Sequence, residues 1–233
     1  ACYEELPLGT IATNGLIRIP DTSGYRIHIS VWGNDATSKR IRGASNMLGR
    51  QLENYRNDPR AVFVYTFTPN NIDEAREVTD NLASQDAQVT FNMFSAPVGY
   101  DGPLRHTPAS LQKARETMIA LLADYPEHVL FSNYNAVVHT HRLGLHDLFA
   151  CPYPRRNSTR NVRLQRSFRQ YRTDLYCDGH AACLVPDPHF LVQPKTFRAW
   201  LDYVDTYLAV WVTGYAKGPN LYTSVTEPPC CAP

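Results

Sequence analysis

Hydrophobic and polar residues alternate along the first half of the chain with the two-residue period of β-strands. In residues 26–31, Ile27, Ile29 and Val31 fall on one side of the extended chain, whereas His28 and Ser30 fall on the other. The same kind of pattern predicts four strands, at residues 8–12, 26–31, 61–67 and 88–94. One or two further strands are expected within residues 129–141.

Helical periodicity separates these strands. Residues 36–56 place Ile41, Leu48, Leu52 and Tyr55 near one helical face, and residues 71–84 follow Asn70 and Asn71 as candidate caps. Residues 108–123 form the strongest helix, with Thr107 as the cap and Pro108 at the first helical position. Near the C-terminus an amphipathic helix is expected, with its apolar face formed by Phe197, Trp200, Leu201, Val204, Leu208 and Trp211. Strands that alternate with helices predict an α/β fold with a parallel sheet.

Composition narrows the class of protein without naming a function. The chain has 233 residues, 43% of them hydrophobic, which is enough for a core. Its net charge is +1, and we do not expect a nucleic-acid partner. No apolar run approaches the ~20 residues of a membrane span, and residues 1–15 lack the layout of a signal peptide, so we expect a cytoplasmic protein without a membrane partner. Because the chain begins at Ala1 and reaches a strand almost at once, we expect a fragment.

Polar residues follow the predicted strands at corresponding positions. Thr13, Asn14 and Gly15 end the first strand, Ser30 lies near the end of the second, and Thr66 lies near the end of the third. Ligands of parallel α/β folds bind at the carboxyl ends of the strands. Turn chemistry uses the same residue types, but their recurrence at successive strand ends favours a binding site for a polar small molecule.

The order of these segments resembles a known enzyme family. TNG at 13–15, ISVWG at 29–33, RG at 42–43 and TPNNIDEA at 68–75 are similar to the middle of a radical S-adenosylmethionine (radical SAM) enzyme. The resemblance covers residues 9–95 and implies a partial parallel (β/α) barrel of the TIM type. It further implies that Ser30 and Arg42, twelve residues apart, contact the methionine end of S-adenosylmethionine. Hydroxyl and guanidinium donors suit that carboxylate. The expected cofactor-binding residues are Thr13, Asn14, Gly15, Ser30, Arg42 and Thr66.

The resemblance also implies a reaction and its partners. In this family a [4Fe–4S] cluster reductively cleaves S-adenosylmethionine, and the resulting 5′-deoxyadenosyl radical abstracts a hydrogen from the substrate. An electron donor such as ferredoxin or flavodoxin and a small-molecule or peptide substrate are therefore expected partners. The chain departs from the family in one respect, because the CxxxCxxC motif that holds the catalytic cluster is absent. The motif lies upstream of this region in the family, so either truncation or loss explains its absence, and the catalytic residues remain unknown.

Six cysteines, which we interpret as free thiols or metal ligands, raise the question of a second cluster. Cys151, Cys177 and Cys183 lie in a region rich in arginine, proline and aspartate, with a predicted hairpin turn at DG between the last two. Some family members carry an auxiliary cluster in a small C-terminal domain of the SPASM or twitch type, which implies these three residues as metal ligands, with Cys230 or Cys231 completing the set. Plain structural thiols are the alternative. The predicted domains are a partial barrel at residues 1–145 and a cysteine-containing region at residues 146–233.

Two alternatives from other functional classes stay open. His139 and His141 would face the same way on a strand, and with His146 they could bind the metal of a metal-dependent hydrolase. A run of arginines without an intervening acid could meet phosphate groups, which would fit a non-catalytic binding module; these are Arg155, Arg156, Arg160, Arg163, Arg166, Arg169 and Arg172.

Overall fold

A four-stranded parallel sheet forms the centre of the protein. The computed structural model describes residues 9–94, 100–132, 136 and 197–221. The strands are β1 (Thr10–Thr13), β2 (Arg26–Val31), β3 (Ala61–Phe67) and β4 (Val89–Met93). Each pairs in parallel with the next, which gives the order β1-β2-β3-β4. The chain is therefore α/β, and the four predicted strands, their direction and their order are confirmed.

Beyond β4, the chain continues the sheet briefly. Val129 forms a single parallel bridge with Val89, and the Leu130 N–H donates to the Val89 carbonyl over 2.8 Å. Of residues 129–141, the structure describes only 129–132 and 136. The rest of the strand region predicted there lies outside the described residues, as does the predicted domain boundary at residue 145.

Helices connect the strands as the periodicity predicts. They are α1 (Asp35–Arg42), α2 (Met47–Tyr55), α3 (Ala75–Ser84), which follows a 3₁₀ turn at Ile72–Glu74, α4 (Pro108–Asp124) and α5 (Phe197–Trp211). The start of α4 confirms the predicted cap, because the Thr107 hydroxyl accepts from the Ser110 N–H over 3.2 Å. The Ser110 hydroxyl accepts in return from the Thr107 N–H over 2.9 Å.

The apolar face of the sheet packs against α2, α3 and α4. Every second residue of a strand points to this side. The strands β2, β3 and β4 thereby contribute large side chains that are almost fully buried: Ile27, Ile29, Val31, Phe63, Tyr65, Phe67, Val89, Phe91 and Met93. Burial of such side chains is worth about 1.5–3 kcal/mol each relative to an exposed position, which makes this layer the main source of stability.

The opposite face of the sheet, which we call the polar face, carries Arg26, His28, Ser30, Thr66 and Asn92 around two buried valines, Val62 and Val64. Helix α5 packs on it at the amino ends of the strands. The last carbonyls of a helix have no partner within the helix, and here the sheet supplies their donors.

Two side chains of β2 bind those carbonyls. The buried Arg26 guanidinium donates to the Ala209 carbonyl over 2.8 Å, and Nε2 of His28 lies 2.8 Å from the Val210 carbonyl. Burial lowers the pKa of Arg26 to about 10 and lowers that of His28 below 6.5. His28 is therefore neutral near pH 7 and donates its Nε2–H, while Arg26 places a positive charge at the negative end of the helix dipole.

The predicted helical segment 36–56 contains two helices. Gly43, which has φ 72°, caps the end of α1, and its N–H donates to the Lys39 carbonyl. Helix α2 begins only after Asn46, which is also left-handed, with φ 52°. The helical pattern is confirmed on both sides of a break, which the left-handed residues Gly43 and Asn46 introduce.

The predicted apolar face of α5 is only partly the face that packs on the sheet: Trp211 meets the His28 ring at 4.9 Å, but most of the face is not buried. The described structure buries Ala199, Asp202, Thr206, Ala209 and Val210, whereas Phe197 is 72% exposed. The small residues Ala209 and Val210 pack against Val62 of β3 and Leu130, and polar residues of the stripe bond to the chain around them. Asp202, for example, accepts from the Leu221 N–H over 3.1 Å, and burial raises its pKa.

Candidate functional site

The loop after β1 is held in shape by its own side chains. The Thr13 hydroxyl accepts from the Gly15 N–H over 3.1 Å, and Oδ1 of Asn14 accepts from the Leu16 N–H over 3.1 Å. Gly15 has φ 72°, and a Cβ built there would lie 2.7 Å from Cγ2 of Ile29. This turn therefore requires glycine both for its backbone angle and for the close approach of β2.

Gln51 joins the ends of β1 and β2, a role that the sequence analysis missed. The side chain is 1% exposed, and its Nε2 donates to the carbonyls of Asn14 over 2.8 Å and Ser30 over 2.9 Å. Nearby on α2, the Asn54 amide donates to the Gly15 carbonyl over 2.9 Å. A buried glutamine within the apolar stripe of α2 is the signal that could have revealed this contact.

Asn71 performs the same task between β2 and β3. Its Nδ2 donates to the carbonyls of Trp32 over 3.1 Å and Thr66 over 2.9 Å, and its Oδ1 accepts from the Thr68 N–H over 2.7 Å. Asn71 does occupy the predicted N-cap position of the following 3₁₀ turn, but its side chain makes no capping bond there. The bonds to two strand ends satisfy buried carbonyls that a cap would leave without a donor.

Burial favours the neutral form of Tyr65, which supports Asn71 through a hydrogen bond. The Tyr65 hydroxyl donates to the Asn71 carbonyl over 2.6 Å, and burial raises the Tyr65 pKa well above its usual value of 10. The phenol is therefore protonated near pH 7 and donates this hydrogen bond. Asn71 is itself fully buried.

Glu74 fixes the turn that leads from β2 into α1. Its Oε2 accepts from the Asn34 N–H over 3.0 Å, and its Oε1 accepts from the Thr37 hydroxyl over 2.6 Å. Asn34 in turn caps α1, with Oδ1 accepting from the Thr37 N–H over 3.2 Å. The segment TPNNIDEA therefore acts as a brace for the carboxyl end of β2 through Asn71 and Glu74.

Ser30 and Thr66 lie on the polar face near this brace. Ser30 is half-buried and pairs in register with Val64, whereas Thr66 is 7% exposed and pairs with Asn92. The shared donors described above bring the backbones of Asn14, Ser30 and Thr66 to one edge of the sheet. Three of the predicted strand ends are thus neighbours.

Arg42 reaches the same edge from the last turn of α1. Its side chain is exposed, and its guanidinium carbon lies 5.7 Å from the centre of the Trp32 ring. Trp32 immediately follows β2, two residues after Ser30. No ion pair of Arg42 is found in the part of the chain that the structure describes.

At the opposite, amino end of the sheet lies a cleft of about 530 Å³. Arg26, Asp58 and His128 line it, but the buried charges among them serve the fold. Asp58 binds Arg60 over 2.7 Å, which together with further hydrogen bonds lowers the Asp58 pKa despite its burial. At the carboxyl edge, in contrast, Arg42 has no ion pair with any of the described residues.

The predicted metal ligands Cys151, Cys177 and Cys183 lie outside the described residues, as do His139, His141 and His146 and the arginine-rich stretch. Over residues 9–94, 100–132, 136 and 197–221, no group of three or more metal-binding side chains occurs. Among the same residues, no helix is long and apolar enough to cross a membrane.

Comparison with known proteins assigns no family. No protein-family model matches the chain, and no curated protein matches it.

Proposed function

We propose that the chain is part of a radical SAM protein and that its carboxyl edge binds the methionine end of S-adenosylmethionine. In this proposal the four-stranded sheet is a portion of a parallel (β/α) barrel with the polar face inside. The observation that carries the proposal is the position of Arg42, which lies over Trp32 at the end of β2, beside the strand that bears Ser30.

The chemistry of these groups fits the cofactor's carboxylate. A guanidinium forms strong, directional hydrogen bonds with a carboxylate, and the Ser30 hydroxyl can add a further donor. Arg42 is exposed, so it can turn toward a ligand without breaking an internal ion pair in the described structure. The fit between the donor set and the ligand supports the assignment of Ser30 and Arg42.

The other predicted residues would shape the rest of the site. The side-chain oxygens of Thr13 and Asn14 accept hydrogen bonds from the turn itself, so these residues would fix the shape of the loop. Gly15 lets that loop approach β2 closely. Thr66 would contribute from the polar face of β3. These residues would orient the cofactor and keep water from its reacting end.

In the proposed holoprotein, a [4Fe–4S] cluster supplies the electron for cofactor cleavage that starts hydrogen abstraction from the substrate. The catalytic cluster ligands are not in this chain, so this chain's part is cofactor positioning. Cys151, Cys177 and Cys183 remain proposed ligands of an auxiliary cluster, since thiolates are the normal ligands of such clusters. Iron and sulfide analysis after anaerobic reconstitution tests this, and a Cys177→Ala/Cys183→Ala variant should lose the bound iron.

Calorimetric titration of the chain with S-adenosylmethionine tests the cofactor site. The Arg42→Ala variant should bind more weakly by about 1.5–3 kcal/mol, the range for hydrogen bonds to charged groups, which is about 10- to 150-fold in Kd. Arg40→Ala is the matched control, because Arg40 is another exposed arginine of α1, and its guanidinium bonds the Thr37 hydroxyl instead.

Equal affinities of the wild type and Arg42→Ala would remove Arg42 from the site. Absence of binding by the wild type would reject the cofactor proposal as a whole. Zinc retained through purification and lost in a His139→Ala/His141→Ala variant would favour the metal-dependent hydrolase instead, and salt-dependent RNA binding would favour a non-catalytic binding module.

A further inference from the structure

The Trp32 ring connects Arg42 to the rigid part of the sheet. The backbone carbonyl of Trp32 accepts from Asn71 Nδ2, and the Trp32 ring meets the Phe94 ring edge-on, with centroids 5.8 Å apart. Phe94 is anchored in turn, since its N–H donates to the Phe67 carbonyl over 2.8 Å and its ring contacts that of Tyr100 at 6.2 Å. Trp32 is therefore held through both its backbone and its side chain.

Arg42 itself lacks such support from its own helix. Helix α1 has only eight residues, and Glu74 anchors its first turn through Asn34 and Thr37, whereas Arg42 belongs to the last turn. An exposed arginine has several rotatable bonds, and ordering them on ligand binding costs conformational entropy. A ring that already holds the guanidinium in place lowers this cost.

We infer that Trp32 is a positioning residue, which holds the Arg42 guanidinium by a cation–π contact so that it meets the carboxylate of the ligand. The inference rests on the proposed cofactor site and adds to it the residue that positions the carboxylate-binding group, Arg42. A guanidinium carbon 5.7 Å from the ring centre lies within the range of about 6 Å over which such contacts are attractive. The indole face is also the strongest of the aromatic partners for a cation.

The experiment compares two ligands on two proteins. S-adenosylmethionine and its decarboxylated form, which lacks the group that Arg42 would bind, are titrated into the wild type and into Trp32→Leu. The variant should bind S-adenosylmethionine about two- to fivefold more weakly, while its affinity for the decarboxylated ligand should equal that of the wild type. Trp32→Phe keeps an aromatic face and should recover part of the loss.

Trp200→Leu serves as the matched control. Trp200 is a half-buried tryptophan of α5 that stacks on Phe197 at 6.0 Å and is remote from Arg42 in the sequence. Its substitution should leave both affinities unchanged.

A ligand-free measurement tests the contact directly. The Arg42 Nε–H resonance should be shifted upfield by the Trp32 ring current, and this shift should vanish in Trp32→Leu. A resonance at the same position in both proteins would overturn the inference.

The titrations separate the failure of this inference from that of the proposed function. No binding of S-adenosylmethionine by the wild type rejects the proposed function, and the inference falls with it. Binding by the wild type with an unchanged affinity in Trp32→Leu rejects the inference alone. Equal weakening for both ligands would mean that Trp32 acts on the loop or on the adenosyl portion, which also rejects a role through Arg42.

Discussion

Gly15 provides the sharpest test of how the candidate site is built. Replacement by alanine places a Cβ 2.7 Å from Cγ2 of Ile29 and 2.9 Å from Cγ of Gln51, both in the interior behind the β1 loop. Ile29 is fully buried and Gln51 is held by two strand-end carbonyls, so neither can move without a cost.

The magnitude has two parts, which a second glycine separates. Gly43 has the same φ of 72°, but a Cβ built there meets nothing within 4 Å. Gly43→Ala should therefore lower the unfolding free energy by about 1–2 kcal/mol, the cost of placing alanine at a left-handed backbone angle. Gly15→Ala should cost this amount plus about 1–3 kcal/mol for overpacking, or about 2–5 kcal/mol in all.

Urea denaturation followed by circular dichroism measures both variants against the wild type. Equal slopes of unfolding free energy against urea concentration would show that the comparison reports stability alone. If the two variants unfold at the same urea concentration, the claim that β2 approaches the β1 loop too closely for a Cβ is wrong. In that case the glycine would be needed only for its backbone angle.

Two further predictions concern the contacts that position the strands. The buried, neutral His28 should make stability depend on acid: the unfolding free energy should fall as the pH drops from about 6.5 toward the lowered pKa of His28, because the unfolded chain binds the proton first. His28→Gln should remove this part of the pH dependence, and an identical pH profile in the variant would contradict the assignment. Gln51→Leu keeps the volume of the side chain but leaves the Asn14 and Ser30 carbonyls without their donor, so it should cost about 2–4 kcal/mol in urea denaturation. The exposed Gln112→Leu on α4 should cost almost nothing, and equal losses in the two glutamine variants would count against the strand-linking role.

Elements with a strong local signal could be predicted from the sequence. Strand β2 follows from alternation around Ile27 and Ile29, and the start of α4 follows from Thr107 and Pro108, because both signals act within one or two turns of chain. The polar strand ends were also predicted, since turn residues identify them. Their use as a ligand site remains a proposal.

The links between those strand ends could not be predicted. Asn71 looked like a helix cap because it precedes acidic residues at a helix start, yet its amide binds the Trp32 carbonyl 39 residues away. Gln51 looked like an ordinary polar position of a helix, yet it joins two strands. Both amides choose the partners that burial would otherwise leave unsatisfied, and sequence periodicity carries no information about that choice.

The sequence by itself determined the α/β class, the four parallel strands and the helices between them, because alternation and capping are short-range properties of the chain. Only the tertiary structure decided which face of α5 is buried and what holds it. Arg26 and His28 bind the carbonyls of Ala209 and Val210 across 183 and 182 residues, and this pairing places those two residues and Trp211 against the sheet. The physical reason is that helix-end carbonyls and buried cations must find partners in space. A helical period identifies a face, but the surface that the helix meets decides whether that face is buried.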